Sequence, residues 1–374
     1  MKKILALVLA LVMVLSMAAC GKAPAAQDGK QKVGIAMPTK SLERWNRDGS
    51  YLDKEFQSAG YQTIVTYSDN NTNQQVNDIQ NMIAEKVDLL VVAAIDGEAL
   101  NTVMNEAAAA KIPVIAYDRL IKNDAVSYYV SFDNYTVGTL QGKFVEEQLD
   151  LANAAGPFNI EFTAGDPADN NAGYFFNGAY DVLKPYIESG KLNVVSGQTQ
   201  FDSVATAAWN TDTALARAQN ILASYYADGT TLDVWLCSND STSLGVAQAI
   251  TSDYKGSNSP IITGQDGDEA NLKNLVDGIQ SMTVYKAVAN EAVATLDLGK
   301  AILSGAQIGE TMIADSKWSF DCAYDTTSYA TSEGRNCPSF LLVPDVVTKD
   351  NMVEKLVTPG YYTQAEDGYL HPAN

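Results

Sequence analysis

Asp118 and Arg119 stand side by side at the end of the apolar run Ile112-Pro-Val-Ile-Ala-Tyr-Asp-Arg. An acid and a base so placed form a fork that accepts and donates hydrogen bonds to adjacent hydroxyls. Taken alone, the pair reads equally well as a structural ion pair at a strand end. Other apolar runs end in the same chemistry. The first is followed by Pro38-Thr-Lys-Ser-Leu-Glu-Arg-Trp45, and another by Asp96. Later runs lead into Gly165-Asp-Pro-Ala-Asp-Asn-Asn171, Asn239-Asp240, Gly264-Gln-Asp266 and Tyr285-Lys286. Carboxylates, planar amides and cations collect at these tips, with almost no Ser or Thr beside a base. Such a set suits holding a ligand made of adjacent hydroxyls, at low rotamer cost. Trp45 and Trp209 offer flat rings for the C–H faces of such a ligand, although each alone reads more readily as core filling.

Composition removes other chemistries. The one histidine, His371, lies three residues from the C-terminal end. No core histidine is left to pair with a nucleophile or to build a multi-His metal centre. Asp69-Asn-Asn-Thr-Asn-Gln spaces oxygen ligands loosely like a calcium loop, but lacks its glycine and closing glutamate. It reads as a turn and helix cap. No metal and no cofactor are expected. With 25 basic against 45 acidic residues the formal charge is −20, which repels phosphate backbones and disfavours nucleic acid as a partner.

Strands and helices must position these tips. Apolar runs as dense as Asp88-Leu-Leu-Val-Val-Ala-Ala-Ile and Ile112–Tyr117 predict central strands of a parallel sheet, whose ligands bind beyond the carboxyl ends. Strand and helix patterns alternate from Lys32 to about Ser304, with Asn73 and Asp96 as expected helix N-caps. The pattern restarts at Phe158-Asn-Ile-Glu-Phe and continues through Leu192-Asn-Val-Val, Asp233-Val-Trp-Leu-Cys, Pro260-Ile-Ile-Thr and Met282-Thr-Val-Tyr. Repeated βα units of this number, in 374 residues, predict an α/β fold of two doubly wound parallel-sheet lobes. Beyond Leu303 the pattern loosens, with a last apolar strand at Phe340-Leu-Leu-Val-Pro.

The chain opens with Lys2-Lys3, an apolar stretch from Ile4 to Val14, and Leu15-Ser16-Met17-Ala18-Ala19-Cys20. A basic start, a short apolar core and small residues make a secretory signal. Because these run into a cysteine, residues 1–19 resemble a lipoprotein signal, with Cys20 lipidated and residues 20–31 forming a flexible tether. Met17 stands where that pattern usually has leucine. An exported protein, lipid-anchored on the outer face of the cell membrane, is expected. Cys237 reads as an inert core thiol. Cys322 and Cys337 bracket an irregular stretch, where a disulfide would contribute about 3 kcal/mol; two free thiols are the alternative.

Six stretches carry a family resemblance: GIAMPTKSLERW (34–45), VIAYDRLI (114–121), GDPADNNA (165–172), SND (238–240), GQD (264–266) and MTVYK (282–286). Together, in this order, they resemble the sugar-binding proteins of bacterial ABC importers in the ribose/xylose/galactose branch. The D-xylose-binding and multiple-sugar-binding receptors are the most similar of these. The similarity runs from about Lys32 to Tyr362. It implies a periplasmic binding protein type I fold, two lobes joined by a three-crossing hinge and closing over one monosaccharide. It assigns Arg44, Trp45, Asp118 and Arg119 to the ligand from the first lobe. The second lobe would give Asp169, Asn171, Asn239, Asp266 and Lys286, with Trp209 stacking opposite Trp45. Lys40 and Asn210 are weaker carry-overs. The implied first lobe is 32–132 plus about 287–320, and the second 133–286 plus about 341–374. Residues 321–340 would be an irregular insertion near the third crossing. Implied partners are a monosaccharide pyranose (xylose first, then glucose or galactose) and ABC permease subunits, for a monomeric receptor that is not an enzyme.

Three rivals remain for comparison. A glycosidase could use Asp118 and Asp266 as facing carboxylates, but the organisation is not an eightfold barrel. A transcriptional regulator would need a helix-turn-helix where this chain has a leader and tether. A receptor feeding a chemotaxis or two-component sensor would have the same fold and site.

Overall fold

The computed structural model describes residues 29–373. The expected leader, Cys20 and most of the expected tether lie outside the described residues. The chain begins with β1 (Lys32–Met37), α1 (Glu43–Ser58), β2 (Gln62–Tyr67), α2 (Thr72–Ala84) and β3 (Leu89–Val92). Next come α3 (Asn101–Ala109), β4 (Val114–Tyr117) and β5 (Tyr128–Phe132). A second series follows: α4 (Asn134–Gln148), β6 (Phe158–Thr163), α5 (Asn170–Glu188), β7 (Leu192–Val194) and α6 (Thr211–Tyr225). It continues with β8 (Val234–Cys237), α7 (Asp240–Asp253), β9 (Ile261–Ile262), α8 (Glu269–Asp277) and β10 (Thr283–Tyr285). The last part holds α9 (Val288–Ser304), β11 (Cys322–Asp325), β12 (Ser339–Leu342), β13 (Asp345–Val347), β14 (Tyr362–Gln364) and β15 (Leu370–Pro372).

Two sheets organise these elements. The first runs β11-β12-β5-β4-β3-β1-β2, parallel except for β11. The second runs β7-β6-β8-β9, all parallel. A bridge from Gln265 to Val284 extends it towards β10, which pairs antiparallel with β13. In each sheet the opening strand lies between the next two, so the winding reverses beside β1 and beside β6. A crevice opens at the carboxyl ends where that reversal occurs.

Both faces of the first sheet are covered, which is why its strands are apolar at consecutive positions. Leu89 and Val91 face Leu52, Phe56 and Leu298; Leu90 and Val92 face Ile79, Met82 and Val103. The second sheet repeats this, with Phe162 and Leu236 on one side and Trp235 and Cys237 on the other. The chain passes between the sheets at Asp133 after β5, at Lys286-Ala287 before α9, and at Val343-Pro344 before β13. Close by, α4 packs on α5 so tightly that a Cβ on Gly138 would overlap the Phe175 carbonyl oxygen.

The stretch expected as an irregular insertion, 321–340, instead supplies β11 and the first half of β12, an antiparallel pair that extends the first sheet beside β5. The last apolar strand therefore belongs to the first lobe. The same pairing separates the two cysteines. Cys322 lies opposite Leu342, five residues beyond Cys337, or about 17 Å at strand rise. Cys337 packs among Val114, Tyr129 and Leu341 on one face, and Cys322 beside Phe340 on the other. A disulfide needs Cα atoms within about 7 Å. The expected bridge is not formed, and both thiols are free. Two helix caps are also displaced. Asn71, not Asn73, accepts from Gln74 to cap α2, and Asp96 caps the turn ahead of α3 through Glu98 and Ala99.

Candidate functional site

The carboxyl ends of both sheets face one narrow cleft. From the first lobe it is lined by Leu42, Arg44 and Trp45, beyond β1, and by Asp118 and Arg119, beyond β4. From the second come Asp169 and Phe175 at the start of α5, Trp209, Asn239 and Ser241 beyond β8, Gln265, Asp266 and Asp268 beyond β9, and Lys286 beyond β10.

Charges alternate across the cleft. Arg44 Nη1 lies 3.0 Å from Asp118 Oδ2 and 3.4 Å from Asp266 Oδ1. Lys286 Nζ bridges the same two carboxylates at 3.4 and 3.2 Å. Arg119 Nε meets Asp169 Oδ2 at 3.2 Å, and the Trp209 indole N–H donates to that oxygen. Burial alone would push the Asp118 carboxyl up, but Arg44, Lys286 and Arg119 together hold it below the usual carboxylate range. For Asp169 burial prevails over Arg119 and its carboxyl is raised. Trp45 is flanked by both guanidinium groups, Arg44 at 4.4 Å and Arg119 at 4.9 Å from its ring centre.

Supporting residues hold this set in place. Arg44 is oriented by Asp48, which accepts its Nη2–H at 2.7 Å and the Tyr117 hydroxyl at 2.8 Å. Asp118 has φ 55°, the left-handed region that Asp and Asn enter more readily than most residues. Its carbonyl accepts from Tyr129, Ser131 and Asn171, and its N–H donates to Val130. Four hydrogen bonds thus fix an unfavourable backbone where the side chain must point into the cleft. Asp266, at φ 104°, is pinned in the same way through Val284.

Of the residues expected from sequence, Arg44, Trp45, Asp118, Arg119, Asp169, Trp209, Asn239, Asp266 and Lys286 line the cleft together. Asn171 does not. Its amide is committed to the Asp118 carbonyl and to Tyr129, so it positions Asp118 from behind. Lys40 is exposed over the Tyr67 ring, and Asn210 caps α6 through Thr213. Leu42, Phe175, Ser241, Gln265 and Asp268 are additional lining residues. Phe175 is legible one helical turn after Asn171, and Gln265 and Ser241 adjoin residues already singled out. Leu42 carried no signal.

Trp209 sits edge-on to Phe175, and a Cβ on Gly165 would overlap its indole ring. Gly165→Ala is expected to lower stability by about 1–3 kcal/mol through overpacking. A fall in the urea midpoint at unchanged slope checks this.

Two sheets presenting their carboxyl ends to a shared charged cleft, with three crossings between them, define a two-lobed solute-binding protein. The chain belongs to the periplasmic binding protein family: the family model described as "Periplasmic binding protein domain" matches residues 33–307. It is 41% identical over 344 residues to the multiple sugar-binding periplasmic receptor ChvE of Rhizobium radiobacter, covering 91% of this chain and 93% of that protein. It is 33% identical over 342 residues to the D-xylose-binding periplasmic protein of Escherichia coli K12, covering 91% and 94%. An ABC transporter solute binding protein from Clostridium phytofermentans, solved with bound β-D-glucose, superposes with a TM-score of 0.83. It is 49% identical, with 90% of this chain and 99% of that one covered. These relatives are binding proteins, not enzymes.

Proposed function

We propose that this chain is the extracytoplasmic sugar-binding component of an ABC importer, holding one monosaccharide pyranose between its lobes. The observation that carries the reading is the cleft itself. Acids and bases alternate across it, with Asp118 and Arg119 from one lobe facing Asp169, Asp266 and Lys286 from the other. Such groups accept and donate to neighbouring hydroxyls, and a buried polar site discriminates strongly between ligands that differ by one hydroxyl. Trp45 Nε1 and Gln265 Oε1, both on lining residues, are buried without a protein partner, as atoms reserved for a polar ligand would be.

D-glucose is placed ahead of D-xylose. β-D-glucose is the ligand of the solved relative at 49% identity, and the D-xylose-binding relative is 33% identical. A glycosidase would need one carboxylic acid able to donate a proton. Asp118 and Asp266 instead share Arg44 and Lys286, and Asp118 is held ionised, so Asp118 does not supply that acid.

Ligand contacts to both lobes favour the closed arrangement by differential affinity, and closure excludes water and strengthens the charge-assisted bonds. The lipid proposed at Cys20 would keep the receptor near its permease. Among the described residues no helix is long and apolar enough to cross a membrane. Calorimetry and thermal shift against glucose, xylose, galactose, ribose, arabinose and fructose test the reading. Glucose at a hundredfold over its Kd is expected to stabilise the protein by about 2.7 kcal/mol. A larger shift with xylose would reverse the order of the two sugars. No shift with any of the six would overturn the sugar reading.

A further inference from the structure

α1 contributes more than Arg44 to the contact between the lobes. One turn beyond it, Arg47 points across to the second lobe without lining the cleft. Its Nη2 donates to the Asp266 carbonyl at 3.0 Å and meets Asp268 Oδ1 at 3.0 Å. Its Nη1 donates to the Gly267 carbonyl at 3.2 Å and the Tyr362 hydroxyl at 2.9 Å. Within α1 the same nitrogen is paired with Glu43 at 2.8 Å. The Glu43 carboxylate in turn accepts the Glu269 N–H, at 3.1 Å to each oxygen. Glu269 opens α8, so an anion from one lobe meets the positive end of a helix in the other.

The loop these two residues grip is the one that presents Asp266. It is built from unfavourable backbone, with Asp266 at φ 104° and Gly267 at φ 69°. Two of its carbonyls, those of Asp266 and Gly267, accept from the first lobe through Arg47. When the lobes separate, those bonds are lost together with the Glu43 contact.

We propose that Glu43 and Arg47 form an interlobe latch that sets sugar residence time without touching the sugar. Arg47 is a positioning residue for Asp266, acting through the backbone of residues 266 and 267. The inference rests on the sugar-receptor reading of the cleft. The guanidinium fork is needed because five acceptors, four of them outside α1, lie on two of its nitrogens, a geometry that an ammonium cannot match.

The test uses the whole secreted chain and the sugar that gives the largest thermal shift. Arg47→Met keeps the length of the side chain and removes its donors. Stopped-flow and calorimetry are expected to show a Kd raised about 10- to 100-fold, the scale of a coupling free energy between sites. Most of the change should appear as faster release. The ratio of glucose to xylose affinities should stay at its wild-type value, and Arg47→Lys should recover only part of the loss. Glu43→Gln, a milder change that keeps an acceptor, should move release in the same direction and serves if Arg47→Met does not fold. Wild-type release rates in these variants would overturn the latch, as would an altered sugar ratio, since that would make Arg47 a determinant of which sugar is held and not only of how long. A wild-type protein that binds none of the sugars would instead overturn the receptor reading.

Discussion

Asp118→Asn is expected to weaken sugar binding by about 30-fold or more, the 2 kcal/mol or greater that follows when one partner of a buried, hydrogen-bonded charge set is removed. The fold should survive. Asn enters the left-handed region nearly as readily as Asp, and the bonds that fix residue 118 use its backbone, not its carboxylate. Neither cation is stranded: Arg44 keeps Asp48 and Asp266, and Lys286 keeps Asp266. The charge itself is what the variant loses. Because Arg44, Lys286 and Arg119 depress the folded pKa, any stability the ionised form contributes is present at neutral pH. It is lost only as pH falls below the ordinary carboxylate range. Calorimetry with the preferred sugar checks the prediction. A wild-type Kd would remove Asp118 from the ligand set.

What the sequence shows follows from which physical signals are local. Strands buried on both faces are apolar at every position, so Leu89–Val92 and Val114–Tyr117 are legible in outline, as are the polar residues just beyond them. β5 is less so, because Tyr128-Tyr-Val-Ser-Phe mixes ring and hydroxyl residues between two loops. β12 is legible as an apolar strand, but β11 and the pairing of the two are hidden for a different reason. Cys322–Asp325 is half-exposed at a sheet edge, and its pairing with Ser339–Leu342 is fixed by contacts across an intervening loop. Without that register the cysteines look like a bracket; with it they fall on opposite faces. Asn171 and Phe175 show the same limit at the site. Both lie on one face of α5, but only packing decides that Asn171 supports Asp118 while Phe175 meets the cleft. Sequence supplies the tip of each strand. Which side chain turns into the cleft depends on the second layer, and Asp48, Tyr117, Tyr129 and Arg47 carried no mark of that role.

Asp240 is the second-layer residue whose loss should cost most. It is fully buried at the start of α7, and one carboxylate oxygen accepts the Asp268 N–H at 2.9 Å and meets the Thr283 hydroxyl at 3.1 Å. The other accepts from Gln280 at 2.9 Å. Asp240 thereby ties β8, β10 and the loop carrying Asp266 and Asp268 into one unit. Asp240→Ala leaves the Asp268 N–H buried without a partner and opens space beside it. The expected loss is about 2–5 kcal/mol, from buried donors left unpaired together with the space opened beside them. Sugar affinity should fall with it, because Asp266 loses its support. Asp240→Asn is expected to cost about 1–3 kcal/mol, since an amide cannot accept from Asp268, Thr283 and Gln280 at once. The two variants also separate charge from shape. Burial, with Asp268 and Asp266 nearby, raises the Asp240 carboxyl well above the usual range, so the folded state binds the proton more tightly than the unfolded chain. Stability from this group is fully present below the ordinary carboxylate pKa and declines as pH rises towards the raised folded value. Asp240→Asn has no such proton. Urea midpoints measured from pH 5 to 8 should therefore fall more steeply with pH in the wild type than in Asp240→Asn. Parallel profiles would mean that Asp240 is ionised in the folded protein, held by its three donors and the positive end of α7.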